Sequence, residues 1–177
     1  VKVYVSKLEI GPKGPFILLS RSHYGFLKRL LEIEIPELSD GTVMLYSVAR
    51  DAGSRSKIAV YTEYNNVDPL GAVIGEKGRR IANVLKELKG EKIDVILYDK
   101  DPVKFITNAL SPAKEVNVTI KNEDKKEALA VVNDSNLSLA IGKKGQNVKL
   151  ASRLTHYKIE VKSENSLLES ENKEIVE

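Results

Sequence analysis

Cysteine and tryptophan are absent from this 177-residue chain, methionine occurs once, and tyrosine and phenylalanine together supply only 6% of it. Without cysteine there is no disulfide framework and no thiolate metal site, a usage that fits a reducing cytoplasm. No apolar run approaches the ~18 residues of a membrane span. The opening Val1-Lys2-Val3-Tyr4-Val5 lacks the basic-then-apolar order of a secretory signal. It also lacks an initiator methionine, so the expectation is a longer protein of which this is a later part. Histidine occurs twice, at His23 and His156, with no metal-ligand spacing between them. Asp51, Asp94, Asp99 and Asp101 fall at turns or strand ends and read as structural. No catalytic constellation emerges; the expectation is a protein that is not an enzyme and needs no cofactor or metal.

What is present is a repeated phrase. Ile74-Gly75-Glu76-Lys77-Gly78 and Ile141-Gly142-Lys143-Lys144-Gly145 lie 67 positions apart, each after a short apolar run and before a helical pattern and a β-branched strand. Two glycines around two charged residues let backbone approach a phosphate, because no Cβ stands in the way. The N–H groups opening the next helix add partial positive charge. A nucleotide P-loop is excluded, since GxxxxGK[ST] requires glycine where Glu76 follows Gly71. No GxGxxG lies near either phrase, which removes a dinucleotide site. The repeat points to tandem binding of a single-stranded nucleic acid. The alternative reading, a helix–helix corner built with glycine, has no need of the lysines.

Charge supports a polyanion partner once it is located. The overall net is +3, but the last fifteen residues hold five Glu and one Lys, a net of −4, which leaves +7 on residues 1–162. Hydrophobic residues at 42% suffice for a core.

Periodicity gives the order of elements. Val1, Val3 and Val5 alternate, Gly11–Pro15 turns, and Phe16–Leu19 resumes, a hairpin not stable by itself and so either the end of a truncated barrel or an appendage. Ser22 or His23 opens a helix bearing Leu27, Leu30 and Leu31, ended by Pro36. Strands follow at Thr42–Ala49 and Lys57–Thr62, with Arg50, Arg55 and Lys57 read as a solvated basic turn. Asp68-Pro69 caps a short helix running into the first glycine loop. Ile81, Val84, Leu85 and Leu88 mark the next helix, Gly90 stops it, and Lys92–Tyr98 is a strand. The order then repeats. Asp101-Pro102 caps a helix with Ile106, Ala109 and Leu110; Val116, Val118 and Ile120 alternate; Ala128–Val132 is their partner strand. Ser135 caps the short helix to the second loop, Val148, Ala151 and Leu154 line the helix after it, and Tyr157–Val161 closes. The fold class is α+β, with two units of helix, strand, strand, helix, loop, helix, strand. The acidic tail, 163–177, reads as a disordered end.

The candidate binding residues are Ile74, Gly75, Glu76, Lys77, Gly78, Arg79 and Arg80 at the first loop, and Ile141, Gly142, Lys143, Lys144, Gly145, Gln146, Asn147 and Lys149 at the second. Arg and Lys suit phosphates; Gln and Asn each offer a donor and an acceptor to base edges. With no aromatic inside either phrase, backbone clamping against an aliphatic groove walled by Ile74 and Ile141 is expected over base stacking.

At these loops the sequence resembles type II KH domains, whose helix–GxxG–helix element grips about four nucleotides of a single strand. Longer phrases extend the likeness. Val48-Ala49-Arg50-Asp51-Ala52-Gly53, Asn66-Val67-Asp68-Pro69, Leu88-Lys89-Gly90-Glu91-Lys92-Ile93-Asp94-Val95, Asn108-Ala109-Leu110-Ser111-Pro112-Ala113 and Leu137-Ser138-Leu139-Ala140-Ile141-Gly142 resemble the NusA family of bacterial transcription factors. The resemblance implies two tandem type II KH domains (αββααβ) at 22–100 and 101–162, with 1–21 as the last strands of a truncated S1 (OB) barrel. It further implies binding of nascent single-stranded RNA and modulation of polymerase pausing, termination and antitermination. RNA polymerase and other Nus-type factors would be met through the full-length protein, in the cytoplasm, with no membrane partner and as a monomer. Departures are a shortened segment before Asn66, His156-Tyr157 where Gly-Trp is usual, and the less basic Glu76-Lys77 insert. Rival readings are a KH module of a ribosome-associated or RNA-decay protein, or the KH appendage of a GTPase.

Overall fold

The computed structural model describes residues 1–168. A two-stranded hairpin comes first, β1 (Tyr4–Gly11) paired antiparallel with β2 (Gly14–Ser20). Apolar side chains on both its faces are exposed, among them Leu8, Ile10, Phe16, Ile17 and Leu19.

The first α+β unit runs α1 (Tyr24–Glu34), α2 (Pro36–Ser39), β3 (Met44–Asp51), β4 (Arg55–Tyr61), α3 (Pro69–Ile74), α4 (Arg79–Leu88) and β5 (Lys92–Leu97). His23 caps α1, its Nδ1 accepting from the Gly25 N–H at 3.0 Å. Pro36 ends α1 as expected and also opens α2, where its missing N–H costs nothing. The second unit is α5 (Pro102–Ala109), β6 (Asn117–Asn122), β7 (Glu127–Val132), α6 (Asp134–Ile141), α7 (Gln146–Thr155) and β8 (Lys158–Ser163). Asp68 and Asp101 cap α3 and α5 as read from sequence. The cap of α6 is Asn133, not Ser135; the Ser135 hydroxyl merely donates to Asn133 Oδ1.

Each unit holds a three-stranded mixed sheet, β3-β4-β5 and β6-β7-β8, whose first pair is antiparallel and second parallel. The central strand β4 is buried from Ser56 to Val60, and successive side chains serve different cores. Ile58 and Val60 pack with Leu27, Leu31, Val73 and Val84 of their own unit. Ala59, with Ala49 and Ile96, packs instead with Phe105, Ile106, Leu150 and Leu154 of the second unit. Period-two alternation thus gives one sheet two covers, and α5 and α7 are the second. Each large aliphatic side chain buried there contributes about 1.5–3 kcal/mol.

The basic residues taken for a solvated turn are the largest correction. Arg50, Arg55 and Lys57 lie in β3 and β4, and the turn is Ala52–Ser54. The Arg50 side chain, 5% exposed, donates through Nε and Nη2 to both Glu91 oxygens at 2.8 and 2.9 Å. Lys57 is fully buried, its Nζ donating to Asp94 Oδ2 at 2.9 Å and to the Ser111 carbonyl of the second unit at 2.7 Å. Arg55 holds the same carboxylate in two-pronged fashion. Burial, opposed by Asp94, holds the Lys57 ammonium below the usual lysine range. The tail is also corrected in part: Ser163 ends β8 and 164–168 form a helical turn. The rest of the expected tail, 169–177, lies outside the described residues.

Candidate nucleic-acid interface

Both glycine phrases are single 3₁₀ turns between two helices, Glu76–Gly78 joining α3 to α4 and Lys143–Gly145 joining α6 to α7. They are near copies. Gly75 and Gly142 share φ 76° and ψ 170°, and Lys77 and Lys144 take φ 53° and 54°. The backbone of the first glycine in each is almost exclusive to glycine. A Cβ on Gly75 would meet Arg80 Cγ at 2.7 Å. Among the described residues nothing stands within 4 Å of a Cβ placed on Gly78, so that glycine faces open space.

The loops consume part of the amide charge expected for phosphate. Gly78 N–H donates to Gly75 O at 3.0 Å and Gly145 N–H to Gly142 O at 3.1 Å. The Arg79 and Gln146 amides donate to Glu76 O and Lys143 O. Side chains therefore carry most of the available charge: Lys77, Arg79, Lys143, Lys144 and Lys149 are exposed, with Glu76 beside the first set.

Arg80 and Asn147, at matching places in the repeat, both turn inward and are not placed as sequence suggested. Arg80 Nη1 donates to Glu37 Oε2 at 2.7 Å and to Ala72 O at 2.8 Å, tying α4 to α2 and α3. Asn147 is 1% exposed, and its Nδ2 lies within 3.0–3.1 Å of the Leu110, Leu139 and Ala140 carbonyls. It closes the ends of α5 and α6 and is out of reach of a base. Ile74 is exposed and Ile141 half-buried beside the loops, where groove walls would stand.

The second loop opens on a cleft of about 470 Å³ whose cationic wall is Lys143, Lys144, Lys149 and Arg153. Among the described residues none of these four is ion-paired. The facing wall is Asp51 and Ser54, from the β3–β4 turn of the first unit. Sequence reasoning missed Asp51, Ser54 and Arg153 as residues of this cleft. Arg153 was findable, standing four residues after Lys149 on one helix face; Asp51 and Ser54 carry no local signal, because only packing brings them there.

The aromatic rings gather elsewhere. Tyr46 stacks on Tyr98 with centroids 3.8 Å apart, with Phe105 edge-on to both, at the junction of the two units. His23 lies between Tyr4 and Tyr24 as a cap and stacking partner. Among the described residues no group of three or more His, Asp or Glu could hold a metal ion, and no helix is long and apolar enough to cross a membrane.

Comparison with known proteins agrees with this geometry. A family model described as the NusA-like first KH domain matches residues 21–98, and one for the NusA-like second KH domain matches 102–169. The chain is 53% identical over 169 residues to the transcription termination/antitermination protein NusA of Halalkalibacterium halodurans, covering 96% of this chain and 44% of that one. It is 54% identical to NusA of Bacillus subtilis, with 96% and 45% covered. Against NusA of Thermus thermophilus it is 50% identical over 159 residues, with 90% and 41% covered. It therefore spans less than half the length of these relatives. A solved structure described as the crystal structure of APE1850 superposes with a TM-score of 0.53 at 25% identity, covering 76% of this chain and 96% of that one. With two KH domains matched in order and identity near one half across almost all its length, the chain belongs to the NusA family of tandem KH proteins.

Proposed function

We propose that this chain is the RNA-binding part of a transcription termination/antitermination factor, and that it holds one extended single strand across both glycine loops. The observation that carries this reading is the pair of superposable loops on units joined by a continuous core, since Ala49, Ala59 and Ile96 of the first pack with Leu150 and Leu154 of the second. Gly75, Lys77, Gly78 and Arg79 grip the strand at the first loop; Gly142, Lys143, Lys144, Gly145, Gln146 and Lys149 grip it at the second. Ile74 and Ile141 wall the groove. The domains run 22–100 and 101–162. Residues 1–21 are the closing strands of an S1-type barrel, a reading supported by the apolar side chains bare on both faces of β1 and β2. The chain acts without catalysis, as a monomer in the cytoplasm, and meets RNA polymerase and Nus-type factors through the rest of the full-length protein.

Each KH loop takes about four nucleotides, so the two together read about eight. Titration of strands of about four and eight nucleotides against variants disabled in one loop tests this. Loss of the second loop should cost far more than half of the binding to the longer strand and little for the short one held by the first. Equal, length-independent losses would show two separate sites and end the single-strand reading.

A further inference from the structure

Gln146 opens α7 immediately after the second loop, yet its side chain is held by the first domain. Its Nε2 donates to Asp51 Oδ2 at 2.8 Å and to Ser54 Oγ at 2.7 Å. A carboxylate only accepts, so nitrogen must face Asp51, and the two hydrogens of that nitrogen are both taken. Gln146 Oε1 and Asp51 Oδ1 have no hydrogen-bond partner among the described residues. A free glutamine offers a donor and an acceptor and distinguishes base edges poorly. This one offers an acceptor alone, next to a second acceptor.

We infer that Asp51, Ser54 and Gln146 form a base-selecting site across the two domains, which takes a base bearing hydrogen-bond donors, guanine foremost. It rests on the RNA-binding reading above and adds which base the strand presents here. Guanine carries two adjacent donors, N1–H and N2–H, on its Watson–Crick edge. Adenine and cytosine carry one amino group beside a ring acceptor. Uracil places its single N–H between two carbonyls, which a pair of acceptors repels. Four cations, Lys143, Lys144, Lys149 and Arg153, share the cleft with Asp51, the one carboxylate lining it among the described residues. Phosphates are drawn to the former and pushed from the latter, which turns a base toward Asp51. The first loop lacks this arrangement: Arg79 stands at the position matching Gln146 and is exposed. Selection therefore acts at one position of the strand.

The test is fluorescence anisotropy on the full chain with an end-labelled oligouridylate of about ten nucleotides and a set in which one guanosine is walked along it. Guanosine should tighten binding about tenfold or more at one position, the scale of a good two-point base contact. Asp51→Ala and Gln146→Ala, both surface changes, should each bring the guanosine-to-uridine ratio at that position to within about twofold. Lys143→Ala with Lys144→Ala should weaken every strand alike and keep the ratio. A flat profile in the parent protein, or a ratio that survives Asp51→Ala, overturns the selecting site and leaves RNA binding standing. No binding to any strand overturns the RNA-binding reading and this inference with it.

Discussion

Gly142 and Asn147 approach so closely that a Cβ on the glycine would stand 2.7 Å from the Asn147 backbone nitrogen. The first glycine of the loop is thus fixed by the chain's return into α7, whereas a Cβ on Gly145 would meet only the flexible end of Lys149, at 3.6 Å.

Alanine at the two positions should separate stability from binding. Gly142→Ala combines a backbone region closed to alanine with overlap, and should cost about 2–5 kcal/mol. Gly145→Ala should cost only about 1 kcal/mol in its left-handed conformation, while its methyl narrows the open face and weakens RNA binding. Thermal melts beside RNA titrations of both variants check this; equal melting temperatures would refute the division of roles.

Making both inserts wholly acidic should remove binding and spare the fold. Glu76, Lys77, Lys143 and Lys144 are all exposed, where substitutions stay within about 0.5 kcal/mol. Aspartate also tolerates the left-handed conformation of Lys77 and Lys144 better than most residues. The quadruple change to aspartate should abolish RNA binding at an unchanged melting temperature. A collapsed melting temperature would mark the loops as structural corners.

Binding should be ionic and selective for single strands. Four to six neutralised phosphates give a log–log salt slope of about −3 to −4, from about −0.7 per contact on a single strand. Duplex RNA should bind much more weakly, because base edges are not exposed in it. A slope near zero, or equal affinity for duplex, contradicts the clamp.

Acid should unfold the first unit through two carboxylates. Burial would raise the Glu91 carboxyl, but hydrogen bonds from Arg50, Ser56 and the Gly53 amide outweigh it and hold it below the ordinary range. Asp94 is likewise lowered, its burial outweighed by Arg55 and Lys57. A group depressed in the folded state stabilises above its unfolded pKa, ~4 for these residues, and loses that contribution as pH falls through the folded value. Melting temperature should therefore hold steady from neutral pH to about 5 and fall below about 4. Glu91→Gln strands the buried Arg50 charge, should cost about 3–5 kcal/mol, and should flatten the acid limb. An unaltered acid limb in that variant would remove Glu91 from the account.

The sequence revealed what local chemistry encodes. Asp68-Pro69 and Asp101-Pro102 announce helix starts within two residues, and the leucines of α1 announce its buried face by spacing. Arg50 and Lys57 give no local sign of burial because their partners, Glu91 and Asp94, stand 41 and 37 residues away; beside a turn, a basic residue looks solvated until its carboxylate is placed. Ser135 is chemically able to cap, but so is Asn133, and in the register of the 67-residue repeat α6 starts two residues earlier than α3. Asn147 sits in a polar run after the loop, and only the helix's orientation shows that its amide faces three carbonyls. The wall built by Asp51 and Ser54 belongs to another domain, beyond any reading of one segment.

The sheet β3-β4-β5 is covered on one face by its own helices and on the other by α5 and α7. That shared cover makes the span between the two glycine loops a property of packed side chains, not of a tether. The pair then works as calipers of set opening. On the proposed reading, in which one strand is held at both loops, an RNA with one nucleotide too many between its gripped stretches would have to bulge it out, and one with a nucleotide too few would not reach. The spacing between bases would then be a message alongside their identity, which no change confined to either loop would rewrite.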